Sequence, residues 1–329
     1  MTDRLDLLRV RADDPAYRQA AAAEAEYWSQ PHPFGLESIE KHCGPSPVDE
    51  YQNQRFTGDR RVAWYESLAR YGTFQRGLAL GTSALRMEGA ILESNPTLHL
   101  TFLDISPGAV ERRAEILGKR FPGRVATAVA DLNFAVFAPE AYDFVVSSSS
   151  LHHVTNLEHL AWQINRTLTP SGRFFLQDYV GEQRFQFHPE KRRVFERIHD
   201  AMMVPQGRPP GMLWRDVSDL SPFCGVRSDE VLSALATQLV EVERRTAETL
   251  TVALLRAYPT DGAVPDPPGR GARLYDALKG WGYRLRGELP PGKVPIPPEL
   301  LQQLILVGDV CADAGVLLPG TAFAIYRKR

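Results

Sequence analysis

Residues Arg76–Leu92 read RGLALGTSALRMEGAIL. The apolar run Leu78–Leu80 ends at Gly81, and a helix-forming stretch follows at once. A strand, a tight turn and a helix in that order leave unsatisfied backbone N–H groups at the turn, where a ligand's polar groups can approach. Turns of this kind commonly carry three alternating glycines; here the positions hold Gly81, Ser83 and Leu85. Leu85 is expected to strain a turn that glycine enters freely and to fill space beside a bound ligand.

The texture on either side supports a parallel sheet. After the first strand come LHLTFLD (Leu98–Asp104), RVATAVADL (Arg124–Leu132), YDFVVSSSS (Tyr142–Ser150) and GRFFLQDYV (Gly172–Val180). Amphipathic segments such as SPGAVERRAEILGKRF and NLEHLAWQINRTL separate them, the first with Ser106 as N-cap and Pro107 at the first helical position. Near-continuous apolar strands alternating with helices imply a sheet covered on both faces. Upstream, Ala16–Trp28 reads as an alanine-rich helix and Asp59–Tyr71 as a second one, with Thr57 as its cap. Downstream, helices are expected over Pro189–Met203, Ser228–Leu239, Leu274–Trp281 and Glu299–Ala314. LVEVERRTAETLTVALL and TAFAIYRK read as strands, the latter closing the chain.

Composition narrows the class. The chain has 329 residues, 43% hydrophobic and 24% charged, enough to bury a large core. A net charge of -2 with interspersed Lys and Arg excludes the basic footprint of a nucleic-acid binder. No uncharged apolar run approaches the ~18 residues of a membrane span, and the charged N-terminus lacks the apolar core of a signal peptide. A cytoplasmic location is therefore expected. Cys43, Cys224 and Cys311 lie far apart with no zinc-site spacing, and are expected to be buried, reduced side chains. No metal site is expected. Trp28, Trp64 and Trp214 are candidates for an aromatic pocket or for the core.

In an open parallel sheet the carboxyl ends of the strands line the ligand crevice. Asp104 ends the second strand, about 20 residues beyond the turn, where a ribose-hydroxyl acceptor is expected. Asp131 ends the third, SSSSLHHV the fourth and QDYVG the fifth. The ordered set LALGTSALRMEGAIL, TFLDIS, AVADLN, YDFVVSSSSLHHV and LTPSGRFFLQDYVG resembles a class I S-adenosylmethionine-dependent methyltransferase over residues ~70 to ~182. The resemblance implies an α/β fold: a Rossmann-like, seven-stranded, mostly parallel sheet whose last strand, TAFAIYRK, is antiparallel and inserted beside the fifth. It implies an N-terminal helical extension or lid (1–72), a cofactor-binding core (73–183) and helical acceptor-pocket additions carrying the last two strands (184–329).

The resemblance also assigns the site. Gly81, Thr82 and Ser83 would form the cofactor turn, Asp104 with Ile105 would hold the ribose, and Asp131 with Leu132 the adenine. Ser148 belongs to the wall beside the sulfonium, and His152 or His153 is the candidate base toward a small-molecule acceptor, since imidazole titrates near neutrality. Competing readings stand beside these. Asp104 could cap the following helix, Asp131 could be a solvated turn residue, and either histidine could simply be hydrogen-bonded in its loop. Asp178 and Tyr179 could line the acceptor pocket or pack beneath it. Glu88 reads as an exposed first-turn acid rather than a ligand. The family's acid two positions before the turn is replaced by Ala79. With Leu85, that motivates an alternative: a methyltransferase fold that has lost methyl transfer and serves in binding, assembly or a non-methylating reaction. A nicotinamide dehydrogenase is weaker still, because the turn lacks its second and third glycines. The sequence names neither the acceptor, the methylated atom nor the oligomeric state.

Overall fold

The computed structural model describes residues 11–30, 47–206, 210–211, 220–248 and 319–329, with scattered positions between 303 and 315. Its centre is a seven-stranded sheet in the order β3-β2-β1-β4-β5-β7-β6. The strands are β1 (Arg76–Leu80), β2 (His99–Asp104), β3 (Val125–Val129), β4 (Tyr142–Ser148), β5 (Leu168–Tyr179), β6 (Leu239–Glu248) and β7 (Pro319–Lys328). Pairs among β1 to β5 are parallel, whereas β7 runs antiparallel to both β5 and β6. This is the expected Rossmann-like sheet, with the closing strand inserted beside the fifth.

Side chains alternate across the sheet with the period of two that a pleated strand requires. Ala79, Phe102, Phe144, Val146, Phe175, Phe323 and Ile325 pack on one face. Their neighbours Leu78, Leu80, Leu103, Val145, Phe174, Leu176, Ala324 and Tyr326 pack on the other. Helices α3 (Leu85–Ser94) and α4 (Pro107–Arg120) follow β1 and β2, and α5 (Leu157–Thr167) links β4 to β5. Helices α6 (Pro189–Met203) and α7 (Val231–Gln238) follow β5, the first with the predicted bounds. Strand order reverses between β1 and β4, so a crevice opens at their carboxyl ends.

Helix α1 (Pro15–Ser29) is present as predicted, but the second helix is displaced. It spans Pro47–Thr57, as α2, with proline at its start, Asp49 and Glu50 in its first turn and Arg55 in its last. Gly58, at φ +81°, ends it. Trp64–Glu66 and Leu68–Tyr71 are only short 3₁₀ turns, which insert Trp64 and Leu68 into the core. Thr57 is therefore not an N-cap: it closes α2, its hydroxyl donating to the carbonyl of Asn53. The expected helix at 274–281 lies outside the described residues, as does much of 299–314. No helix among the described residues is long and apolar enough to cross a membrane.

Candidate active site

The carboxyl ends of β1, β2, β3 and β4 surround a cavity of about 820 Å³, including its open mouth. Gly81, Thr82, Ser83, Asp104, Ile105, Asp131, Leu132 and Ser148 all line it, and so does His153. The ends of the second, third and fourth strands thus gather there, whereas no residue of QDYVG at the end of the fifth lines the cavity. His152 is buried, its ring 4.2 Å from that of His153, and does not line the cavity.

Gly81 is the residue that the turn cannot replace. Its φ is +78°, and a Cβ there would overlap the Ser150 side chain. Thr82, Ser83 and Ala84 do not share that left-handed conformation. Leu85 does not strain the turn, contrary to expectation, because the turn has already ended: Leu85 is the first residue of α3 and is fully buried in the core. Ser83 is held from below. Its N–H donates to Glu88 Oε1 at 2.6 Å, and its carbonyl accepts from Arg113 Nη2. Arg113 Nε donates to Glu88 Oε2 at 2.9 Å. Glu88 is therefore not an exposed acid; it is 3% exposed and paired beneath the turn. Burial pushes its carboxyl above the usual range, opposed by the Arg113 charge and the Ser83 N–H.

The two strand-end carboxylates are held in place by hydrogen bonds. Asp104 accepts from the N–H and hydroxyl of Thr82, both at 2.7 Å, and from Ser106 N–H at 2.8 Å. The cap of α4 is Ser106, not Asp104. Asp131 accepts from the Tyr17 hydroxyl at 2.5 Å, and from the N–H and amide of Asn133 at 2.9 and 3.0 Å. A carboxylate has roughly four acceptor positions, so each keeps about one for a ligand. Burial, then the bond to Asp131, pushes the Tyr17 phenol far above its ordinary value, so it stays a donor.

Tyr17 belongs to α1, which closes one side of the cavity. Trp28 and Ser29 at its end receive Arg112 of α4 on their carbonyls, both at 2.9 Å. Between them Glu24 is buried and accepts four bonds, from Trp28 Nε1, Ser221 Oγ, the Phe223 N–H and His153 Nδ1 (2.8 Å). Burial works to raise the Glu24 carboxyl, but these donors, His153 foremost, outweigh it and hold it low. Burial and the His152 charge work to lower His153, yet its hydrogen bonds to Cys224 and Glu24 leave it raised.

His152 Nδ1 lies 2.5 Å from Asp178 Oδ1. Asp178, fully buried, also accepts from the N–H groups of Ser150, Leu151 and Tyr179. It packs beneath the histidine loop and orients it. Tyr179 stacks on Phe185, with ring centroids 4.2 Å apart. Cys224 is buried as expected, Cys311 only partly, and Cys43 and Trp214 lie outside the described residues. Trp28 lines the cavity, while Trp64 is core. Sequence reasoning missed Tyr17, Glu24, Arg113 and Asn133. Only Asn133 carried a local signal, standing two residues after Asp131.

Residues 78–174 match the sequence profile of a methyltransferase domain. No curated protein matches the chain. Among solved structures, coclaurine N-methyltransferase, bound to N-methylheliamine and SAH, superposes with a TM-score of 0.51 at 12% identity. That alignment covers 99% of this chain and 86% of that one. The geranyl diphosphate C-methyltransferase of Streptomyces coelicolor gives 0.49 at 15% identity, covering 97% and 100%. The [4+2]-cyclase SpnF gives 0.44 at 14% identity, covering 86% and 91%. Residues 78–174 thus match a methyltransferase-domain model, and the chain shares its Rossmann-like fold with the solved methyltransferase structure.

Proposed function

We propose that this chain methylates a small-molecule oxygen, nitrogen or carbon nucleophile, with S-adenosylmethionine as donor. One observation carries the reading: the two carboxylates at adjacent strand ends, Asp104 and Asp131, face one cavity whose rim is the Gly81 turn. The residues fit the cofactor. Asp104 has an acceptor position for a ribose hydroxyl and Asp131 one for the adenine amino group, with Ile105, Leu132 and Val154 supplying apolar wall. The cofactor, when bound, supplies the electrophilic methyl group, so the protein's share is to bind, align and exclude water.

The acceptor enters at the His153 end of the cavity, and the described parts of segments 1–72 and 184–329, Trp28 and Phe223 among them, build its pocket around the 73–183 core. Each histidine has Nδ1 tied to a carboxylate, and His153 has Cys224 as a second hydrogen-bonding partner. As the histidine on the cavity wall, His153 is our candidate to take the acceptor's proton. The alternative of a decayed turn rests on Ala79 and Leu85. Leu85 lies in the core and Glu88 braces the turn that Ala79 does not, so the structure gives that alternative less support. The coclaurine N-methyltransferase, a fold relative, was solved with SAH and a small-molecule ligand. Calorimetry with S-adenosylmethionine tests the reading: saturable binding supports it, and no binding at millimolar cofactor overturns it.

A further inference from the structure

His152, His153 and Cys224 meet beside the cofactor cavity, although Cys224 lies far along the chain. One donor atom from each falls within 4.8 Å of the other two. Asp178 holds His152 by Nδ1 and Glu24 holds His153 by Nδ1, so Nε2 is the nitrogen that each ring has left to donate. Metal-bound histidines characteristically give their other N–H to a carboxylate, which fixes tautomer and ring orientation. Two such pairs here stand beside one thiol.

We propose that His152, His153 and Cys224 form a three-ligand site for a zinc-class divalent transition ion. Two imidazoles and a thiolate are borderline-to-soft donors, which suit zinc and disfavour magnesium or calcium, ions that need oxygen ligands. Three protein ligands leave one position of a tetrahedron open, the pattern of a reactive rather than a structural zinc. Burial supports a built site: the histidine side chains are 7% and 14% exposed. Charge supports it as well. Two buried carboxylates stand behind the ligands, Asp178 on His152 and Glu24 on His153.

His153 belongs to both the cluster and the cavity wall, so the open position lies at the acceptor end. It would take water or a hydroxyl or thiol of the acceptor and lower that group's pKa. With the ion in place the histidines serve as ligands, and proton removal by free imidazole is confined to the metal-free protein. Metal binding itself does not depend on the cofactor reading.

The test is metal loading of the full chain. After chelator treatment, protein dialysed against micromolar zinc is expected to retain one ion per chain by elemental mass spectrometry. Cobalt(II) is expected to give tetrahedral absorption and a thiolate-to-metal charge-transfer band. Cys224→Ser should remove that band and, like His152→Ala, weaken zinc binding at least tenfold. Glu24→Gln should weaken it roughly 10- to 100-fold. Wild-type protein that retains no zinc and shows no cobalt band overturns the site, whatever the variants do. So does undiminished binding in Cys224→Ser, which would assign the ion to other thiols. Cofactor calorimetry on the same metal-free protein separates failure here from failure of the methyl-transfer reading.

Discussion

Glu88→Gln is the substitution that asks most of the turn. The side chain keeps its shape but loses its charge, and Arg113, 5% exposed, is left with a buried cation opposite a neutral amide. Removing one partner of a buried pair costs about 3–5 kcal/mol. Glutamine also has one oxygen for two donors, Ser83 N–H and Arg113 Nε, so an N–H group of its own must face one of them. An unsatisfied buried group of that kind costs about 1–3 kcal/mol, which lies within the total rather than adding to it. Against a typical domain stability of 5–15 kcal/mol, the variant should fold but melt early. Urea unfolding is the assay, with a lowered midpoint and an unchanged m-value expected. Cofactor affinity should fall about tenfold, the equivalent of ~1.4 kcal/mol, because Ser83 is no longer held on the cavity rim. The pair replacement Glu88→Leu/Arg113→Met should be less destabilised than Glu88→Gln, since it buries no lone charge. A loss below about 1 kcal/mol in Glu88→Gln, with cofactor affinity intact, would refute the brace.

Four further outcomes follow from the same geometry. Asp104→Ala should weaken S-adenosylmethionine binding by about 1.5–3 kcal/mol while circular dichroism stays native; unchanged affinity by calorimetry removes the ribose assignment. Gly81→Ala should abolish cofactor binding, because a Cβ at φ +78° meets Ser150; titration at millimolar cofactor checks it. Tyr17→Phe removes the hydroxyl donor to Asp131 and should make α1 more open to limited proteolysis, with the core strands still protected. The hydrogen-bonded Arg227 holds the Glu158 carboxyl below its usual range. That pair stabilises the fold above the unfolded carboxylate value of ~4.3 and loses its contribution as pH falls through the lower folded value. Thermal melts across that acid range should therefore fall less steeply in Arg227→Gln than in wild type.

The sheet was legible because its information is local. Near-continuous apolar runs with helices between them define a doubly covered parallel sheet whatever the rest of the chain does. Strand ends follow from strands, so Asp104, Asp131 and Ser148 could be placed at one crevice by reading alone; of the histidine pair, His153 joins them there and His152 does not. The site of Gly81 was equally plain, since a glycine that joins a strand to a helix needs no partner to explain it.

Other features are decided by groups distant in sequence. A helix at Asp59–Tyr71 has an acceptable apolar pattern, yet the core takes Trp64 and Leu68 in two short turns and helix α2 forms earlier. Leu85 looks misplaced in a glycine turn until the helix is seen to begin there. Glu88, read alone, is an ordinary exposed acid, and only the approach of Arg113 from the next helix makes its burial tolerable. Glu24, Cys224 and the histidines show no common spacing, because α1 and the segment after α6 reach the crevice from either side of the 73–183 core in sequence. The sequence alone determined the sheet and the crevice at its carboxyl edge, since backbone periodicity and strand polarity act over a few residues. The tertiary structure decided which charges are paired and which donors converge, because burial and distance are properties of the folded chain.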